Sequence, residues 1–296
     1  MKSDNNTAGD SFSRIVLDHP SGSRVELCRH GAHVTSWKNA RGEELLFLSR
    51  KSSFAPGRPI RGGIPIVFPQ FCDDGSLPKH GFARTSQWVL ADSGQTSAGD
   101  VFATLRLEAD ADTLRLWPFR FSLECSVLLS DRLTVRLTAT NTGDLPFRFQ
   151  TALHTYFRVA DIRRVGVLGL QGLEFSDSLR AGARQKESRE LVTFAEETDR
   201  IYIGASDALA INDGGRGRTF SITKSGLSDV VVWNPWLEKS RRIEDFGDDE
   251  YQSMVCVETG NIMTPVALNP AARWEGAATF KDNPIPPCPG SGTRIP

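Results

Sequence analysis

Apolar and polar residues alternate with a period of two along most of the chain. In FRFSLECSVLLS, the residues Phe119, Phe121, Leu123, Cys125, Val127 and Leu129 fall on one face of an extended segment. RLTVRLTATN repeats the pattern: Leu133, Val135, Leu137 and Ala139 lie on one side, Arg132, Thr134, Arg136 and Thr138 on the other. Ser130 and Asp131 supply the turn between them, so the two segments predict a hairpin. RVELC, AHVTSW, SQWVLAD, VFATLRLEA, ALAIND, RTFSITK and SDVVVW add further strands. NDGGRGRT reads as another hairpin turn rather than a nucleotide loop, because no helical pattern follows it. Short helical pieces are expected only around 196–199 and 247–252. Many strands, frequent turn signals and no βαβ rhythm predict an all-β fold, a large antiparallel β-sandwich with few short helices.

Two segments carry residues that the pattern does not account for. In PFRFQTALHTYFRV the core face takes Phe147, Phe149, Leu153 and Phe157, while Arg148, Gln150, His154, Tyr156 and Arg158 share the other. His154 is then either a solvated or structural histidine or part of a polar pocket with Gln150 and Tyr156. In YQSMVCVETGN, Met254 to Val257 are continuously apolar, as in a central strand covered on both faces, and the run ends at Glu258. A carboxyl at the mouth of a buried strand is partly desolvated, which favours its neutral form. Glu258 either pairs with an arginine or forms an acid–base couple with His154, if the two meet in space.

Composition narrows the field. The chain has 296 residues, 39% hydrophobic and 24% charged, with a formal net charge of −1, so nothing in the balance points to nucleic acid or an anionic membrane. Five scattered cysteines form no C-x-x-C pair, which argues against a disulfide framework and a zinc site and fits the cytoplasm. The N-terminus has no apolar signal region, and no stretch approaches the roughly 20 apolar residues of a membrane helix. One domain is expected over 12–281, flanked by flexible tails at 1–11 and 282–296 that are rich in Pro, Gly, Ser and Asn.

Any basic site must therefore be local. RPIRGGIPIVFPQF and PKHGFAR place Arg58, Arg61, Lys79, His80 and Arg84 on two loops punctuated by glycine and proline, either an anion clamp or a set of solvated turns. Neither loop has a P-loop pattern or a helix start. His30 and His33, three apart on a strand, face opposite ways and do not suggest a shared metal. Trp233 and Trp236 either face a sugar ring or pack in the core. Asp73 and Asp74 read as a turn or as hydroxyl ligands, and Cys72 lacks an evident base.

Taken in order, RGGIPIVFPQF, KHGFAR, WPF, ALHTYF, ETDRIY, VVWNPW and VCVETGN resemble the aldose 1-epimerase superfamily, and within it the branch acting on hexose 6-phosphates, over about residues 14–280. The resemblance implies a β-supersandwich of the galactose-mutarotase type. It also implies interconversion of the α and β anomers of glucose 6-phosphate or related aldohexose phosphates, without metal or cofactor, by a monomer. By position, His154 matches the general acid and Glu258 the general base, and Arg61, Arg84 and Asp199 match substrate-binding positions. Lys79 stands where some relatives carry glutamine, so it either adds charge to the phosphate or points to solvent. Arginine forks would hold the phosphate, and Gly62, Gly63 and Gly81 would let backbone approach it. The rival expectations are a sugar-phosphate binding protein without catalysis and a mutarotase for unphosphorylated sugars.

Overall fold

The computed structural model describes residues 12–284; residues 1–11 and 285–296, which hold most of the expected tails and Cys288, lie outside the described residues. The two segments FRFSLECSVLLS and RLTVRLTATN form the paired strands Phe121–Leu129 and Leu133–Asn141, and burial along the first alternates strictly. They sit within a nine-stranded sheet that runs from Leu191–Thr193 at one edge to Val89–Gln95 at the other. Arg273–Pro284 lies in this sheet and extends past the boundary expected at 281, pairing with Arg218–Ser225 on one side. NDGGRGRT closes the hairpin between Ala208–Asp213 and Arg218–Ser225, as expected.

An eight-stranded sheet faces the nine-stranded one. Its centre is built from Thr198–Tyr202, Asp229–Asn234, Met254–Leu268 and Phe147–Leu153, neighbours in that order and antiparallel throughout. Phe149, Leu153, Val230, Val232, Val255 and Val257 join Leu123, Val127, Val135 and Leu137 in one core between the sheets. Residues that alternate with them point the other way. Met254, Cys256, Val231, Trp233 and Tyr156 form a second cluster with Phe47, Phe71 and Phe246 from overlying loops. The continuous apolar run at 254–257 is thus explained: this central strand is covered on both faces. A three-stranded sheet, Arg14–Asp18, Arg24–Cys28 and His33–Lys38, adds Val25, Leu27, Val34 and Trp37 to the main core.

The helical expectations fare unevenly. The 247–252 piece corresponds to a single 3₁₀ turn at Glu250–Ser253. Residues 196–199 instead lead into the strand Thr198–Tyr202, whose backbone pairs with Asp229–Asn234; sheet pairing overrides the local polar pattern. Two short helices went unanticipated. Ala111–Leu116 starts on a capping box in which the Asp110 side chain accepts from Thr113 N–H, and Trp236–Ser240 follows Pro235. No helix among the described residues is long and apolar enough to cross a membrane.

Candidate active site

Strand register brings the two singled-out residues together. Leu153 pairs with Thr259, and after a two-residue interruption Tyr156 pairs with Cys256. The register continues unchanged across the gap, so His154 falls directly opposite Glu258, in the position of a cross-strand pair. The interruption has a local cause. His154 N–H donates to Pro65 O at 3.0 Å and Tyr156 N–H to Gly63 O at 2.9 Å, which ties this segment to the RGGIP loop. Arg61 is thereby set beside the pair.

His154 Nε2 lies 3.3 Å from Glu258 Oε1, with the residues 7% and 1% exposed. Both line the floor of a cleft of about 190 Å³ on the outer face of the eight-stranded sheet. The imidazole stacks on the Tyr156 ring with centroids 4.8 Å apart, and Trp233 meets it edge-on at 6.1 Å, which fixes its plane. Burial, reinforced by Asp199, holds the Glu258 carboxyl well above the ordinary carboxylate range, with Arg84 pulling the other way. Burial, with the Arg84 and Arg61 charges, holds His154 well below the ordinary imidazole value. Both shifts favour the uncharged forms, a carboxylic acid beside a neutral imidazole. One proton moved along that contact makes the pair carboxylate and imidazolium without changing the net charge. A larger cleft of about 630 Å³, beside the three-stranded sheet, includes neither residue.

The cations take distinct places. Arg61 lines the cleft, donates from Nε to Asp245 Oδ1 at 3.0 Å and from Nη1 to Tyr156 Oη at 3.2 Å, and is held rigid by both. Arg84 is not among the cleft-lining side chains. Its Nη2 donates to Lys79 O at 2.7 Å, its Nε is buried without a partner, and among the described residues it makes no ion pair. Burial, with Arg61 alongside, lowers it to about 10, still charged at neutral pH. Lys79 lines the rim, mostly exposed, with Nζ 3.4 Å from Asp73 Oδ2. Asp199 lines the cleft with its carboxylate 3.6 Å from Lys239 Nζ. Arg58 is exposed beside Glu244 and stands apart from the cleft.

Several other expectations are revised. A Cβ on Gly62, Gly63 or Gly81, all at positive φ, would strike Phe47 O, Val34 O or Phe68 O respectively. These glycines serve close packing of loops on strands rather than backbone access to a ligand. Gln150 braces the 71–74 loop, with its amide between Asp74, Ile262 O and Phe71 N–H. Trp233 lines the cleft, whereas Trp236 packs on Tyr251. Burial raises the Cys72 thiol to about 12. His30 and His33 bond to separate carbonyls, Arg58 O and Gly62 O. Two cleft residues had been given no role. His80, inside KHGFAR, accepts from Cys72 N–H on Nδ1 at 3.2 Å, so its Nε2 carries the hydrogen beside His154. Lys239, in the helix after NPW, donates to Glu197 at 2.8 Å; only the fold brings it to the cleft.

The family and the relatives that this β-sandwich chain matches make it an enzyme of the isomerase class. The chain belongs to the aldose 1-epimerase family, whose profile matches residues 13–281. A Cenchrus ciliaris protein provisionally named glucose-6-phosphate 1-epimerase is 40% identical over 287 residues, covering 94% of this chain and 87% of its own. An Escherichia coli K12 protein of the same provisional name is 36% identical over 252 residues, covering 84% and 83%. The crystal structure of a provisionally named mutarotase from Salmonella typhimurium superposes with a TM-score of 0.85 at 32% identity, covering 92% of this chain and 90% of that one.

Proposed function

We propose that this chain interconverts the α and β anomers of glucose 6-phosphate, and of related aldohexose 6-phosphates, by acid–base opening and closing of the sugar ring. The observation that carries the reading is the buried contact of 3.3 Å between His154 and Glu258 at the floor of a cleft walled by Arg61 and Lys79. Glu258, as carboxylate, takes the proton of the O1 hydroxyl; C1–O1 becomes a carbonyl as the bond from C1 to the ring oxygen breaks. His154, as imidazolium, delivers a proton to that oxygen. Rotation about C1–C2 presents the other carbonyl face, and the same two transfers run backwards. The protons balance, and each positioned transfer is worth about 10²–10⁴ in rate.

Phosphate binding also helps to set the starting protonation. His154 feels both Arg84 and Arg61, whereas Arg84 is the cation acting chiefly on Glu258. A phosphate that offsets both guanidiniums relieves His154 of two like charges, which favours its imidazolium form. Arginine forks suit the phosphate oxygens, and Arg84 has no carboxylate to give up when it engages them. Asp199, Lys79 and the His80 Nε2–H are the groups placed for sugar hydroxyls and the phosphate rim. One chain supplies every group named, so a monomer suffices. The free thiols Cys28, Cys72, Cys125 and Cys256 fit a reducing compartment, and the cytoplasm is the proposed location.

The test is magnetisation-exchange NMR on equilibrated α and β glucose 6-phosphate, with glucose in a parallel sample. Faster exchange of the phosphate alone supports the proposal. Acceleration of both sugars equally moves the substrate to unphosphorylated aldoses. Broadened ligand signals without faster exchange leave a sugar-phosphate binding protein.

A further inference from the structure

The face that carries Glu258 carries one group that ring opening does not use. Cys256 lies two residues earlier in the same strand, on the same side of the sheet and fully buried. A ring nitrogen of His154, the Cys256 sulfur and a Glu258 oxygen all lie within 4.8 Å of one another. The atoms that face one another are His154 Nε2 and Glu258 Oε1, in side chains more than nine-tenths buried, and Glu258 Oε2 on the same carboxyl has no hydrogen-bond partner. An orphaned carboxyl oxygen at this depth is costly unless something binds it.

Imidazole, thiolate and carboxylate are the three zinc-binding side chains, and zinc sites with three protein ligands leave a fourth position open. Zinc bonds of about 2.0–2.3 Å in a tetrahedron set ligand atoms roughly 3.3–3.8 Å apart. His154 and Glu258 already meet that spacing at 3.3 Å, and the sulfur has about 1 Å to close at most. Hard cations such as magnesium and calcium want all-oxygen shells and are excluded by the nitrogen and sulfur.

We propose that His154, Cys256 and Glu258 form a binding site for a borderline-soft divalent cation, zinc foremost, at the floor of the cleft, where the bound metal blocks anomer exchange by occupying both proton-transfer partners. Zinc is here an inhibitor and not a cofactor. The inhibition rests on the proposed activity; the metal site itself does not. Cys72 and His80, 4.0 Å apart at the rim, are the competing pair that the test must separate.

Cadmium titration of the reduced full-length protein reads thiolate ligation directly, through the ultraviolet sulfur-to-cadmium charge-transfer band. The expected result is one equivalent bound, with the band abolished in Cys256→Ser and unchanged in Cys72→Ser. X-ray absorption at the zinc edge of the wild-type protein needs no variant and is expected to give one sulfur in a shell otherwise of nitrogen and oxygen. Zinc should slow glucose 6-phosphate exchange in the wild type, reversibly with EDTA, at concentrations at least about tenfold below those that slow Cys256→Ser relative to its own metal-free rate. Absence of the band, its loss in Cys72→Ser alone, or a shell without sulfur overturns the site. If metal-free protein shows no exchange, the proposed activity fails, and the band and the absorption edge still decide the metal site.

Discussion

Glu258→Gln separates chemistry from binding and folding. The amide keeps the shape of the side chain at a position 1% exposed, so its place opposite Val231 in the sheet survives. Its carbonyl or amino group can still meet His154 Nε2 where Oε1 now lies at 3.3 Å. What disappears is the carboxylate proposed to take the O1 proton. Loss of one positioned proton transfer lowers kcat by about 10²–10⁴, equivalent to about 2.7–5.4 kcal/mol on the barrier. With phosphate binding assigned to Arg61 and Arg84 in the proposed reading, Kd for glucose 6-phosphate should stay within a factor of about three, or about 0.65 kcal/mol. Magnetisation exchange at several enzyme concentrations gives the rate above the spontaneous background, and ligand titration gives Kd. Retention of more than about a tenth of the wild-type exchange rate refutes the assignment of the base. A Kd raised in proportion to the lost rate refutes the division of labour.

Arg84→Ala should weaken glucose 6-phosphate binding about 10- to 150-fold, the worth of one charge-assisted hydrogen bond at 1.5–3 kcal/mol, and leave glucose binding unchanged; calorimetry with both sugars reads the difference. Acid should destabilise the fold. Burial holds His33 at about 3 and His80 and His154 well below the ordinary value, so below the unfolded value of about 6.5 the unfolded chain binds more protons than the folded one. Stability present above that pH is lost as pH falls through it toward about 3 for His33, partly offset by Glu258, whose raised value works in the opposite sense. Urea midpoints at pH 7.5 and 5 test this, and His33→Gln, which keeps a donor for Gly62 O, should flatten the slope. Gly63→Ala puts a Cβ against Val34 O and His33 at a φ of 62°, so it should lower Tm and weaken phosphate-sugar binding together by displacing the Arg61 loop; an unchanged Tm refutes the packing role assigned to this glycine.

Much of this was readable in the chain because period-two alternation is a property of the residues themselves. Phe121 to Leu129 announce which atoms face the core, and Met254 to Val257 announce a strand with two buried faces. Local pattern failed where a partner strand decides the outcome. Thr198 and Asp199 look like a polar turn or a helical piece until they pair with Asn234 and Trp233. The glycines of RGGIP and KHGFAR look open to a ligand until the loops settle on Phe47, Val34 and Phe68.

The site shows the same division more sharply. His154 stood out on the polar face of an alternating strand and Glu258 at the end of an apolar run, but no periodicity states that Leu153 pairs with Thr259; only that register makes the two residues opposite. The register also explains why the couple and Cys256 are inseparable. A carboxyl opposite His154 puts residue 256 on the same face, opposite Tyr156 in the register. A small apolar residue would fill that position without consequence. A thiol there offers the third ligand of the proposed metal site, from the same pairing that sets the proposed acid opposite the proposed base.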